Sequence, residues 1–243
     1  MNMRLIHRNI RSMWKEKTLW AIFLVPFLIS VVAWMAFENS QRYTSINSIY
    51  GLTVQLSLIL IVPLGVFLAH WDQKKAAYEA QMVLTKPITR MEFFISEYVA
   101  STAIIYLFLL LNSLLVSGIS YVYGHFSWKI LLAFSATIPT VLLLEGTLAL
   151  VSLVFPRSHA IGVGMILCCG GLFRSTMEGI GNEVVDVSGI GWIFPNLEFG
   201  IVSSLKCMYP EVSSSFVHSF FIWIIELFIT ISLAYVIFSR RDY

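Results

Sequence analysis

Runs of apolar residues separated by short polar connections dominate the chain. A helix of ~20 apolar residues crosses the ~30 Å hydrocarbon core of a bilayer. On that criterion residues 19–37, 50–69, 98–123, 130–155, 159–173 and 216–238 are candidate spans, the fifth being the shortest. Composition agrees: 58% of the 243 residues are hydrophobic and 12% charged, with a mean hydropathy of +0.79, against about a quarter charged in an ordinary soluble domain. The expectation is an all-α integral membrane protein forming a single transmembrane domain over residues 1–243. The first segment is too long for a signal-peptide core and is followed by no small-x-small cleavage pattern, so it is expected to stay as an anchor.

Charge gives the segments a direction. Cytoplasmic loops collect Lys and Arg, and Arg4, Arg8, Arg11, Lys15, Lys17, Lys74, Lys75, Lys86, Arg90, Arg157, Arg240 and Arg241 all fall on one side of an alternating six-span path. Only Arg42, Lys129, Arg174 and Lys206 fall on the other. Both termini are therefore expected in the cytoplasm. The basic face fits a topology signal and lipid headgroup contact better than a nucleic-acid site, and no nucleic-acid partner is expected.

Three polar stretches have structure of their own. In residues 1–18, Met3, Ile6, Ile10, Met13 and Trp14 recur at helical spacing opposite Arg4, His7, Arg8, Arg11 and Lys15, the pattern of an interfacial amphipathic helix; a merely basic leader is the simpler reading. In the connection 70–97, the stretch from Lys74 to Leu84 lacks Pro and Gly and is rich in helix formers. Thr85-Lys86-Pro87 breaks it, and Thr89 with Glu92 has the form of a capping box opening a helix that continues through Phe93 and Phe94 into the third span. The outer connection 174–215 contains Gly179, Gly181, Gly189, Gly191 and Gly200, and an apolar stretch interrupted by Pro195. It is too broken to span, and predicts one or two helices dipping into or resting on the outer leaflet against protein.

Few polar residues lie inside the spans. Glu145 and Glu226 sit near the middle of the fourth and sixth, with no Lys or Arg at comparable depth in sequence. An ionisable group there costs roughly 2.5–3.5 kcal/mol on insertion scales. Each is therefore either part of a path for a cationic or polar group, or a protonated side chain bonding a neighbouring helix. Gln55 and Asn112 are further path candidates, while Ser113 and Ser117 have the small-x-x-x-small spacing of close helix packing. Cys168, Cys169 and Cys207 do not form a disulfide pattern, and the five histidines lie in separate regions without ligand spacing, so no metal site is expected. The sequence has no phosphate loop of the Gly-x-x-x-x-Gly-Lys-Ser/Thr form, no His-Glu-x-x-His and no Gly-x-Ser-x-Gly.

Glu79, and after it Leu84-Thr85-Lys86-Pro87-Ile88-Thr89-Arg90, resembles the coupling segment of ABC-2 type transporter permeases, which carry an acidic helix and a Leu-x-x-Pro-Ile-x-Arg turn between the second and third spans. The tail Phe238-Ser239-Arg240-Arg241-Asp242 is similar to the basic end of that family's last helix. Ala80-Gln81-Met82 departs from the Gly-Thr pair often found after the Glu. The resemblance implies a membrane subunit, not itself an enzyme, that pairs with a second permease chain, identical or related, above two ATPase subunits. Those partners would hold the ATP and Mg, and the chain itself would hold no cofactor. It implies export across a bacterial plasma membrane, with Lys74, Lys75, Tyr78, Glu79, Met82, Leu84, Thr85, Lys86, Pro87 and Arg90 coupling to the ATPase. Pro195, Asn196 and Glu198 would gate the exit. Peptides, lipids and drug-like molecules are all open as cargo. Rival readings are an ion-coupled carrier or channel using Glu145 and Glu226, and an intramembrane enzyme.

Overall fold

The computed structural model describes residues 3–15, 20, 24, 28, 31–32, 35, 57, 89–122, 126–174, 193–208 and 216–240. Among these, all regular structure is helical. In chain order the helices are α1 (Met3–Trp14), α2 (Arg90–Val122), α3 (Lys129–Ser135), α4 (Ile138–Val154), α5 (Arg157–Leu172), α6 (Glu198–Met208) and α7 (Phe216–Arg240). Among the described residues three stretches are long and apolar enough to cross a membrane: Arg90–Val122, Lys129–Val154 and His218–Arg240. The fifth predicted span is the apolar helix α5, at 16 residues short for a crossing. Of the first span, Trp20, Leu24, Leu28, Val31, Val32 and Met35 are helical, and all but Val31 are exposed. Of the second, only Ser57 is described.

The capping box read from the sequence forms. The Glu92 amide donates to Thr89 Oγ1 at 3.2 Å, and the Thr89 amide donates to Glu92 Oε2 at 3.3 Å. Two amides of the first turn that have no helical acceptor are thereby satisfied. With no Pro in the 33 residues that follow, α2 runs unbroken through Phe93 and Phe94, so residue 98 marks no boundary between connection and span.

The fourth predicted span is not one helix. It breaks at Ala136 and Thr137 between α3 and α4. Pro139 is the cause, since it lacks the amide that would bond the carbonyl four residues back and its ring crowds that turn. The Trp223 indole on α7 donates to the Pro139 carbonyl at 3.0 Å, tying the bend to the last helix.

Lipid tails are as apolar as leucine, so helices in a bilayer are held by close packing and internal hydrogen bonds rather than by escape from water. The chain follows both rules. Hydroxyls of Ser96, Thr102, Ser117, Thr147 and Thr230 donate to the carbonyl four residues earlier in their own helices, leaving no unmet donor. Ser113 and Ser117 are buried. Core side chains such as Ile104, Ile105, Phe134, Leu143 and Leu144 lie between α2, α3 and α4. The outward face of α7 presents Phe221, Ile225, Phe228, Ile229 and Leu233 at helical spacing, all exposed.

α1 packs on the first part of α2. Ile6 and Asn9 are buried there, Asn9 Nδ2 donates to Glu97 Oε1, and Trp14 stacks on Phe108 with ring centres 5.9 Å apart. His7, Arg8, Arg11 and Lys15 are exposed. The apolar stripe of the amphipathic helix thus includes a buried asparagine and meets protein.

Candidate functional site

Polar groups concentrate at three places. At one end, the first turn of α2 meets the last turn of α7. Arg90 Nη1 donates to the Ser239 carbonyl. Phe93 stacks on Phe238 at 6.0 Å, Phe94 packs on Tyr235 and Phe238, and Leu153 and Ala234 complete a small cluster. Each such aromatic pair adds ~0.5–1.5 kcal/mol beyond burial alone. Arg90 is the only coupling candidate among the described residues. Lys74, Lys75, Tyr78, Glu79, Met82, Leu84, Thr85, Lys86 and Pro87 lie outside them.

Near the middle of α7, Glu226 is not without a cation. Arg174 Nη1 donates to Glu226 Oε1 at 2.6 Å, and the Asn196 backbone amide donates to Glu226 Oε2 at the same distance. Asn196 Nδ2 also donates to the Ser219 carbonyl at 3.3 Å. The sequence places no Lys or Arg at the depth of Glu226, and Arg174, two residues beyond the end of α5, reaches it by folding inward, where its side chain is 11% exposed. A carboxylate so placed is stabilised by a charge-assisted pair, and here it ties α7 to Arg174 and to the Asn196 backbone.

The segment it anchors, Ile193–Met208, packs into the bundle, as expected for a connection whose backbone must be satisfied by protein. Thr140 Oγ1 donates to the Leu197 carbonyl at 2.8 Å, just beyond the Pro139 bend. Gly200 lies so close that a Cβ there would sit 1.9 Å from Thr140 Oγ1, and a Cβ on Gly170 would sit 2.2 Å from the Phe194 ring. Phe199, Phe220 and Trp223 form an aromatic group with ring centres 5.8–6.0 Å apart. Of the gate candidates, Asn196 joins the Glu226 cluster, the Pro195 carbonyl lies against Gly171, and half-buried Glu198 opens α6. An acid in a first turn complements the helix dipole.

Inside the bundle, Glu145 is 2% exposed, and its Oε1 has no hydrogen-bond partner. Ser101 of α2 lies within hydrogen-bonding reach of the Glu145 carboxyl, and its hydroxyl is also within reach of the Glu97 and Tyr98 carbonyls, at 3.2 and 3.1 Å. The other carboxyl oxygen, Oε1, stays unmet, and leaving a buried polar atom unmet costs about 1–3 kcal/mol. Asn112 is in a similar state: its Nδ2 donates to Ser57 Oγ at 2.7 Å, joining α2 to the second predicted span, while its buried Oδ1 is unmet. Gln55 lies outside the described residues.

Pairing across long sequence separations is what the sequence hid. Nothing in the sequence pairs Arg174 with Glu226, Arg90 with Ser239, or Thr140, Trp223 and Tyr98 with their distant backbone acceptors. Pro139 was the one available signal, because a proline within a long apolar run marks a bend. Cys168 is buried, Cys169 half-buried and Cys207 exposed, all three as free thiols. Among the described residues no group of His, Cys, Asp and Glu could hold a metal.

No protein-family model matches the chain, and no curated protein matches it.

Proposed function

We propose that the chain is the membrane subunit of an ATP-driven transporter, with ATP hydrolysis in a partner subunit and a second permease chain beside it in the membrane. The observation that carries the reading is the junction following the candidate coupling segment. Thr89 and Glu92 cap α2, while Arg90 and Phe93 clamp the same turn to Ser239 and Phe238 of α7. A force applied just before Thr89 would therefore move two long helices together, as a coupling element requires. The Arg174–Glu226–Asn196 cluster holds the Ile193–Met208 segment to α7, and its opening would be the exit step. The expected direction is export across a bacterial plasma membrane.

The test is purification of the tagged chain in mild detergent, followed by mass spectrometry of stoichiometric partners. An ATPase subunit should accompany the wild type and be lost when Glu79 and Thr85–Pro87 are replaced. A chain that emerges alone in several detergents would overturn ATP coupling. Glu145 favours a second reading, an ion-coupled carrier, because a buried carboxyl with an unmet oxygen suits a site that loads and unloads a cation. Glu226, already neutralised by Arg174, gives that reading no second site.

A further inference from the structure

Between α2 and α4 a groove of about 230 Å³ opens sideways from the bundle, lined by Tyr98, Val99, Thr102, Tyr106, Val141 and Leu142 among others. Two of its three hydroxyls are turned to the backbone. Tyr98 OH donates to the Leu142 carbonyl at 2.7 Å, and Thr102 Oγ1 to the Tyr98 carbonyl at 2.8 Å. What remains facing the groove is aromatic ring, methyl and methylene.

Glu145 continues the same row. Ile138, Val141 and Leu142 line the groove, and residue 145 lies seven, four and three positions beyond them, on the same helical face. Tyr98 belongs to both places. It walls the groove, bonds the Leu142 carbonyl one turn before Glu145, and has its ring 3.9 Å from where a Gly146 Cβ would lie. Among the described residues no Lys, Arg or His pairs with Glu145. An apolar trough that leads past an aromatic ring to a buried, partly unmet carboxyl is complementary to one kind of molecule: an apolar body with a single cationic head.

We propose that this groove binds amphiphilic amines from the lipid phase, the apolar body lying along Tyr98–Tyr106 and the ammonium group reaching Glu145 once Tyr98 releases the Leu142 carbonyl. Its volume lies below the ~300–1,000 Å³ of sites for drug-sized ligands, which selects single-chain or single-ring amines. The inference supplies a ligand class for the transport reading, and rests on that reading only for where the amine goes afterwards.

The test uses the full chain in nanodiscs of zwitterionic lipid, a decylamine bearing a diazirine on its chain, and the matching alcohol. After illumination the labelled peptides are mapped by mass spectrometry. The expected result is saturable labelling of the 98–106 and 138–142 segments by the amine, reduced at least ten-fold in Glu145→Gln, with alcohol labelling unaffected by that change. Ala103→Trp fills the groove from its exposed side while leaving Glu145 in place. It should block the amine equally, and it keeps the test decisive if the glutamine variant does not fold. Equal labelling by amine and alcohol, insensitive to Glu145→Gln, would overturn the proposal, as would absence of amine labelling from these segments. Neither outcome touches the ATPase co-purification experiment, so the ligand and the energy source fail separately.

Discussion

Arg174 and Glu226 meet at 2.6 Å although 52 residues separate them. The pair joins the end of α5 to the middle of α7, and through the Asn196 amide it also fixes the segment leading into α6. Because both side chains are mostly buried, removing one partner strands the other. Arg174→Met should cost ~1.5–3 kcal/mol, the range for hydrogen bonds to charged groups. The double variant Arg174→Met/Glu226→Gln should be more stable than the single Arg174→Met. Thermal unfolding in nanodiscs would check this, and additive losses in the two positions would refute a direct pair.

Gly200 and Gly170 are fixed by space rather than by backbone angle. Gly200→Ala should destabilise by about 1–3 kcal/mol, as overpacking does. Thr140→Ala should restore only part of that loss, because the Thr140 Cβ itself lies 2.8 Å from the added methyl. Gly170→Ala should be relieved more fully by Phe194→Ala, since only ring atoms obstruct it. Unfolding midpoints for the four single and two double variants would decide both cases.

Thr89→Ala removes the cap hydroxyl and should cost ~1 kcal/mol of helix stability, with Thr89→Ser close to wild type. The effect should be local. Hydrogen exchange at the amides of Arg90 to Phe93 should quicken, while exchange in the middle of α2 stays unchanged. Uniform quickening along the helix would argue against an end cap.

Cys207 is the exposed thiol of the three, and Cys168 is buried. A membrane-impermeant thiol reagent applied to intact cells should therefore modify Cys207 and spare Cys168, which also tests the expected placement of α6 outside. Local burial pushes the Cys207 thiol above its ordinary 9.0. The thiolate is the reactive form, so the modification rate should still be climbing at pH 9, where an unburied thiol begins to level off.

The elements that the sequence made legible are those written in adjacent residues. Thr89 and Glu92 announce their own cap at a spacing of three, and the α2 and α7 segments are readable from length and hydropathy alone. Tertiary pairing was not legible in the same way. Arg174 directly follows an apolar segment, where a basic residue reads as a loop charge, and only the three-dimensional path turns it toward Glu226. The break at Ala136–Thr137 was in principle readable, because Pro139 sits within a run otherwise good for one helix. The hydropathy of the run is continuous across it, which masks the break.

The unbroken length of α2 has a mechanical consequence. Thirty-three residues at 1.5 Å each make a rod of about 50 Å, roughly 20 Å longer than the ~30 Å slab it would traverse. Such a rod must lean or project. If it projects at the Arg90 end, a small rocking about the midplane becomes a sweep of several ångströms at the tip, and the clamp to Ser239 obliges the last helix to follow. In that geometry the helix is a lever, and its leverage is set by how many residues lie beyond the lipid.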